Sequence, residues 1–263
     1  MPEIDLNADL AEGDSLTPSD AAVLDAVTSV SIACGFHAGG PSVMRETVRA
    51  CVQRGVTVGA HVSYRDREGF GRRVVEVEPA VLVEDLLRQC VDLSEIARSL
   101  GTEVAFVKPH GALYRQMGSD PQVAAAVCEA ASRQAVGVLV AQGVGQVVDL
   151  ARRAGLRVVH EGFPDRAYRS DGRLVDRGVA GAVIADPDHV GRRALSLAGR
   201  GGVESITGEW TPVAAETLCI HGDSPTAAQT ARAVRTALID AGVTVRSFVD
   251  PPNGDGAPSC TYA

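Results

Sequence analysis

Val104-Ala105-Phe106-Val107-Lys108-Pro109-His110-Gly111-Ala112-Leu113-Tyr114 runs from an apolar segment straight into a lysine, a proline and a histidine. A short run rich in Val with no polar alternation reads as a strand buried on both faces, as in a parallel sheet. The strand is expected at Val104–Val107, with Lys108 directly after it and held extended by Pro109. Polar chemistry concentrated at a strand's carboxyl end is the arrangement by which parallel α/β folds build their sites.

The same grammar repeats on both sides of this stretch. Further strands are expected at Ile4–Asn7, Val30–Ala33, Val56–Ala60, Val136–Ala141, Arg157–His160 and Thr217–Ile220. Thr17-Pro18-Ser19-Asp20 reads as a helix start with an N-cap, a first-turn proline and a first-turn acid. Pro41, Pro79, Pro121, Pro187 and Pro225 open further helices, and 143–154 suits another. In the helix after Pro79, Val83, Leu86, Leu87, Cys90, Leu93, Ile96 and Ala97 form one apolar stripe. Seven strands alternating with helices predict a single α/β domain over 1–250, doubly wound or barrel-like. The Gly-rich stretch 199–215 suits a hairpin, and 251–263 reads as a flexible tail.

Bulk properties narrow the function. The 263 residues suit one barrel, which commonly takes about 250. A net charge of −8 without any basic run argues against nucleic acid and anionic membranes as partners. The chain has no signal-peptide pattern, no apolar run of membrane-spanning length and no Cys-x-x-Cys pair among six scattered cysteines, so a reducing, cytoplasmic setting is expected. Of 25 basic residues, 24 are arginine and one is lysine, Lys108.

Each strand is followed by chemistry. Asn7 and Asp9 follow the first, His37 the second, and His61, Tyr64 and Arg72 the third. Lys108, His110 and Tyr114 follow the fourth; His160, Asp165 and Arg166 the sixth; His221 and Asp223 the seventh. Five of six histidines thus sit at strand ends, His189 being the exception, and a common cleft is expected. Six of the ten aromatic residues, among them Phe36, Phe70, Phe163 and Tyr168, share these loops and suit a small pocket. Lys108 suits either a buried ion pair with Asp9 or Asp165, or charge stabilisation and proton transfer at a substrate carbonyl. No phosphate-binding loop, dinucleotide fingerprint or nucleophile elbow is present. Asp9, His37, His61 and His110 could offer metal ligands, but no His-x-x-x-His or His-Glu-x-x-His pair supports a bound metal, and none is assigned.

Taken together, Leu6-Asn7-Ala8-Asp9, Ile32-Ala33-Cys34-Gly35-Phe36-His37-Ala38-Gly39, Gly59-Ala60-His61, Gly69-Phe70-Gly71-Arg72, Val107-Lys108-Pro109-His110-Gly111-Ala112-Leu113-Tyr114, Asp165-Arg166-Ala167-Tyr168 and His221-Gly222-Asp223 resemble the LamB/YcsF family. The resemblance runs in order from residue 4 to about 245. Ala11 stands where the family usually has Gly, and Val62-Ser63 where it has Pro-Gly. The resemblance implies a distorted seven-stranded β/α barrel of the glycoside hydrolase/deacetylase type. It also implies ATP-dependent opening of 5-oxo-L-proline to L-glutamate as the A subunit of a 5-oxoprolinase with B and C subunits, ATP being a cosubstrate of the whole enzyme.

For that chemistry Asp9 or His61 is assigned as base, His110 as acid and Lys108 as oxyanion stabiliser. Arg72 and Arg166 are candidate anion clamps. Asn7, His37, Tyr64, Tyr114, Asp165, His221 and Asp223 complete the expected substrate pocket. A stand-alone metal-dependent deacetylase or amidohydrolase, and a non-catalytic 5-oxoproline carrier, are the alternatives.

Overall fold

Strand β1 (Glu3–Leu10) is where the sheet closes: it pairs in parallel with β2 (Ser29–Ala33) on one side and β9 (Thr217–His221) on the other. The computed structural model describes residues 2–143, 145–221 and 226–249. Between β2 and β9 the sheet continues through β3 (Thr57–Val62), β4 (Val104–Pro109), β5 (Val138–Ala141) and β6 (Arg157–Gly162), all parallel. These seven strands form a closed β/α barrel, with β10 (Thr244–Val245) hung on the start of β1. The hairpin expected in 199–215 is present as β7 (Gly202–Glu204) paired antiparallel with β8 (Trp210–Pro212).

The surrounding helices are α1 (Pro18–Leu24), α2 (Pro41–Arg54), α3 (Pro79–Ser99), α4 (Gly111–Met117), α5 (Pro121–Arg133), α6 (Val147–Arg153), α7 (Pro187–Arg200) and α8 (Ala227–Asp240). Proline fills the first helical position of α1, α2, α3, α5 and α7, where its missing N–H costs nothing. Thr17 and Asp20 form a reciprocal capping box, and Asp120 and Asp186 cap α5 and α7. Gly55 and Gly201 end α2 and α7 in the left-handed conformation.

Five strands run further than the sequence suggests, to Leu10, Val62, Pro109, Gly162 and His221, so Asp9, His61, Lys108 and His221 are strand residues and not loop residues. The reason lies in the barrel interior. Along β1, Ile4, Leu6, Ala8 and Leu10 join the apolar core, while the alternate residues Asp5, Asn7 and Asp9 meet polar partners from other strands. Asp5 accepts hydrogen bonds from Thr28, Ser29 and Thr217, and Asn7 donates to Glu161 and Thr217. Partners inside the barrel let a polar strand continue without an orphaned group. Both strand faces are buried, as expected, but the inner one carries charge.

Three other differences are local. Helix α4 starts directly after His110, helix α6 is shorter than 143–154, and β10 was not expected. Pro225, Asp223 and the 251–263 tail lie outside the described residues. The five described cysteines are all free and buried.

Candidate active site at the carboxyl ends of the strands

Lys108 projects from β4 across the barrel. Its Nζ lies 2.7 Å from Glu161 Oε1 on β6 and 2.9 Å from Asp9 Oδ1 on β1, and also donates to Asn7 Oδ1 at 3.2 Å. Cys219 Sγ of β9 is 3.1 Å away. Burial alone would strip this ammonium of its proton, but Asp9, Cys219 and Glu161 outweigh it and hold the pKa well above the usual lysine value. Lys108 is therefore a fixed cation. The expected ion pair is present with Asp9, while Asp165 pairs elsewhere, and the permanent charge argues against proton transfer by this group. On the other side of Glu161, the Tyr114 hydroxyl donates to Oε2 at 2.7 Å.

Asp9 connects this cation to a histidine cluster, its Oδ2 lying 3.3 Å from His61 Nε2. Burial opposes the Asp9 charge, yet His61 and Lys108 together hold its carboxyl well below the usual range. His61 Nε2 is 2.9 Å from His110 Nδ1, and His110 stacks on His37 with ring centroids 3.9 Å apart and planes within 6°. Glu12 Oε1 reaches His37 Nε2 at 3.5 Å and His110 Nδ1 at 3.6 Å. Burial, then the neighbouring histidines, push the pKa of His110 down to about 2; burial and His61 do the same to His37.

The backbone around this cluster is unusual. Ala11 and Phe70 are non-glycine residues with φ of +63° and +53°. Such conformations cost energy and persist where the surroundings over-determine them. Ala11 stands immediately before Glu12. The Phe70 carbonyl meets His110 Nε2 at 2.9 Å. A Cβ on Gly71 (φ +63°) would come within 2.8 Å of both His110 and His37.

These groups floor a cavity of about 410 Å³. Asp9, His61, Lys108, His110, Tyr114, Arg72, Arg166 and His221 line it, bringing together eight residues named from the sequence. Asn7, His37, Tyr64 and Asp165 stand behind the wall instead: Asn7 supports Lys108 and Glu161, His37 backs His110, and Tyr64 is tied to Gln116 at 2.6 Å. Asp165 holds His221 Nδ1 at 2.7 Å, and, against burial, His221 keeps its carboxyl below the usual range. Arg166 spends its guanidinium on the carbonyls of Val175 and Ala182, which anchors the segment 166–183 over the mouth more than it frees a clamp. His160 does not share the cleft, because strand alternation that aims Glu161 inward sends His160 to the outer face, against Gly143.

Three acidic or thiol groups were not singled out from sequence: Glu12, Glu161 and Cys219. Glu161 is 1% exposed and yet ionically paired, the pattern of a working residue. Its signal was present, in a glutamate following an apolar run at a strand end. Arg169, Arg173 and Arg177 also line the mouth, so its rim is strongly cationic although the chain as a whole is acidic.

Comparison with known proteins agrees with this picture. The family model described as LamB/YcsF matches residues 4–252. A protein of Mycolicibacterium paratuberculosis (strain ATCC BAA-968 / K-10), named as the A subunit of 5-oxoprolinase, is 47% identical over 251 residues, covering 94% of this chain and all of its own length. An Acinetobacter baumannii (strain ACICU) protein of the same name is 46% identical, covering 94% of this chain and 98% of its own length. The crystal structure of the lactam utilization protein from Thermus thermophilus superposes with a TM-score of 0.88 at 42% identity, over 94% of this chain and 100% of that one. Matching motifs, near-complete coverage and a shared barrel lead to one assignment: the chain belongs to the LamB/YcsF family.

Proposed function

We propose that this chain is a cyclic amide hydrolase that opens the lactam ring of 5-oxoproline to give glutamate, acting as the A subunit of an ATP-dependent 5-oxoprolinase. The observation that carries the reading is the buried Lys108–Asp9 pair at the floor of a small cavity with an arginine-rich rim, in a chain 47% identical to a protein named as the A subunit of 5-oxoprolinase. The relatives' names favour this over the deacetylase and carrier alternatives.

A lactam is resonance-stabilised and a poor electrophile. Activation with ATP would turn its oxygen into a leaving phosphate, and the chain has no phosphate-binding loop. ATP is therefore assigned to partner subunits of the B and C type, in the cytoplasm, and the activated anion to the arginine-rich mouth. Arg72, whose guanidinium lies 4.9 Å from the Phe70 ring centroid, beside the ring that edges His110 and His37, is the proposed phosphate contact.

Asp9 is ionised and faces the cavity, so it takes the proton from the attacking water. The same proton passes to the ring nitrogen as its C–N bond breaks, and the γ-glutamyl phosphate left behind is hydrolysed by a second water to glutamate and phosphate. Lys108 balances the negative charge carried by the phosphorylated tetrahedral adduct. This revises the acid assigned from sequence: His110 has one nitrogen on the Phe70 carbonyl and the other turned to His61 and Glu12, and its low pKa leaves it no spare proton.

The test is reconstitution with candidate partner subunits, following glutamate release from 5-oxoproline. ATP-dependent release that needs this chain is expected. Equal release without ATP, or without this chain, would overturn the assignment.

A further inference from the structure

We propose that Glu12, His37, His61 and His110 form a binding site for one divalent transition metal ion of the zinc type. The four ligand atoms lie within 4.8 Å of one another. The proposal does not depend on the substrate and stands apart from the reading of the reaction above.

The argument is a proton count. His61 Nδ1 meets the Lys108 carbonyl at 3.1 Å, and His110 Nε2 meets the Phe70 carbonyl at 2.9 Å. A carbonyl only accepts, so each of these nitrogens carries the hydrogen. His37 Nδ1 lies 2.9 Å from Ser63 Oγ, whose own hydrogen goes to the Tyr64 carbonyl, so His37 Nδ1 is a donor as well. With those outer nitrogens protonated, the inner ones, His61 Nε2, His110 Nδ1 and His37 Nε2, are left to face one point, joined there by a carboxylate oxygen of Glu12. Outer nitrogens bonded to carbonyls or hydroxyls with inner nitrogens bare is how metal-bound histidines are held.

Two observations say the point wants a cation. His37 Nε2 is fully buried and makes no hydrogen bond, a costly state for a polar atom. His61 Nε2 lies 2.9 Å from His110 Nδ1 and 3.3 Å from Asp9 Oδ2, so without a metal this nitrogen carries a proton, which a bound cation would displace. The nearby group Asp9, Cys219 and His221 differs, because the Lys108 ammonium already sits against Asp9 and Cys219.

Size and donor type fit as well. Two ligands on a tetrahedral ion with ~2.1 Å bonds are about 3.4 Å apart. Glu12 Oε1 is 3.5 Å from His37 Nε2 and 3.6 Å from His110 Nδ1, while His61 Nε2 and His110 Nδ1, at 2.9 Å, would move apart on metal binding. Three imidazoles and one carboxylate favour zinc, cobalt or nickel over magnesium or calcium, which prefer all-oxygen shells. The sequence pattern for such a site is absent because the ligands come from separate strand ends and not from one helix.

The test uses the full chain, purified without chelators, with metal content measured by mass spectrometry. About one equivalent of zinc per chain is expected. After stripping with a chelator, the folded apoprotein should bind Zn²⁺ at 1:1 by calorimetry, and Co²⁺ should give the visible absorption of a low-coordinate nitrogen and oxygen site. His37→Gln and Glu12→Gln should each weaken binding by on the order of 100-fold or more, while His189→Gln, on an exposed residue of α7, should not. If His37→Gln fails to fold, Glu12→Gln decides, since Glu12 is partly open to solvent. Stripped, natively folded protein that takes up none of Zn²⁺, Co²⁺, Ni²⁺ or Mn²⁺, or binding unchanged in Glu12→Gln, would overturn the proposal.

Discussion

Lys108 Nζ and Glu161 Oε1 meet at 2.7 Å inside the barrel, between strands β4 and β6 that share no ladder. The pair is closed off from solvent, with relative side-chain exposure of 2% and 0%. Lys108→Met would leave Glu161 and Asp9 as uncompensated buried charges, a change that typically costs about 3–5 kcal/mol. A clear drop in the urea midpoint is expected. Lys108→Arg keeps the charge but replaces a compact ammonium with a planar fork. It should fold and still lose most glutamate production in the reconstituted enzyme; full production would remove Lys108 from the mechanism.

Asp9→Asn tests the proposed base. The amide cannot accept the proton, so kcat should fall by roughly 10²–10⁴ while KM changes little. Steady-state kinetics with the partner subunits present make the separation, and an effect confined to KM would assign Asp9 to binding alone.

Asp5 predicts a pH signature of stability. Burial raises its carboxyl pKa to about 6, against lowering by the hydroxyls of Thr217, Thr28 and Ser29. The folded state then holds more protons than the unfolded state between about pH 4 and 6, so this group's contribution to stability falls as pH rises through that window. The shift of roughly two pKa units corresponds to on the order of 3 kcal/mol. Denaturant unfolding of Asp5→Asn should therefore gain on the wild type by about that amount between pH 4 and 7. A difference that stays flat with pH would contradict the raised pKa.

Gly71→Ala should disturb the histidine stack from outside the cavity. The new methyl would enter both His110 and His37, at a backbone angle that L residues avoid. A loss of roughly 1–3 kcal/mol is expected, with displaced His37 and His110 ring signals in NMR spectra. Unmoved ring signals would show that the cluster tolerates more room than its 3.9 Å stacking suggests.

Arg72→Gln should raise KM for the activated substrate and leave thermal stability unchanged, because Arg72 is exposed at the rim. An unchanged KM would move the anion contact to Arg169, Arg173 or Arg177.

Much of this was legible in the sequence, for physical reasons that also mark the limits. Strand positions could be read because buried parallel strands are short apolar runs, and helix starts because Pro41, Pro79, Pro121 and Pro187 announce them. Strand ends could not, because Asp9, His61 and Lys108 look like loop residues until their partners across the barrel are known. The same limit hid Glu161 and misplaced His160: only the pleat decides which of two adjacent polar residues faces inward. Glu12 escaped notice because its role depends on the left-handed turn at Ala11, which alanine does not advertise. Lys108 stood out by composition alone.

That last fact has a consequence for how this protein can change over generations. Lys108 touches residues on β1, β6 and β9 at once, so replacing it strands several partners together. Replacing any one partner unbalances the rest. Arginine serves at the other 24 basic positions, but its planar fork does not replace a compact ammonium held by three strands at once.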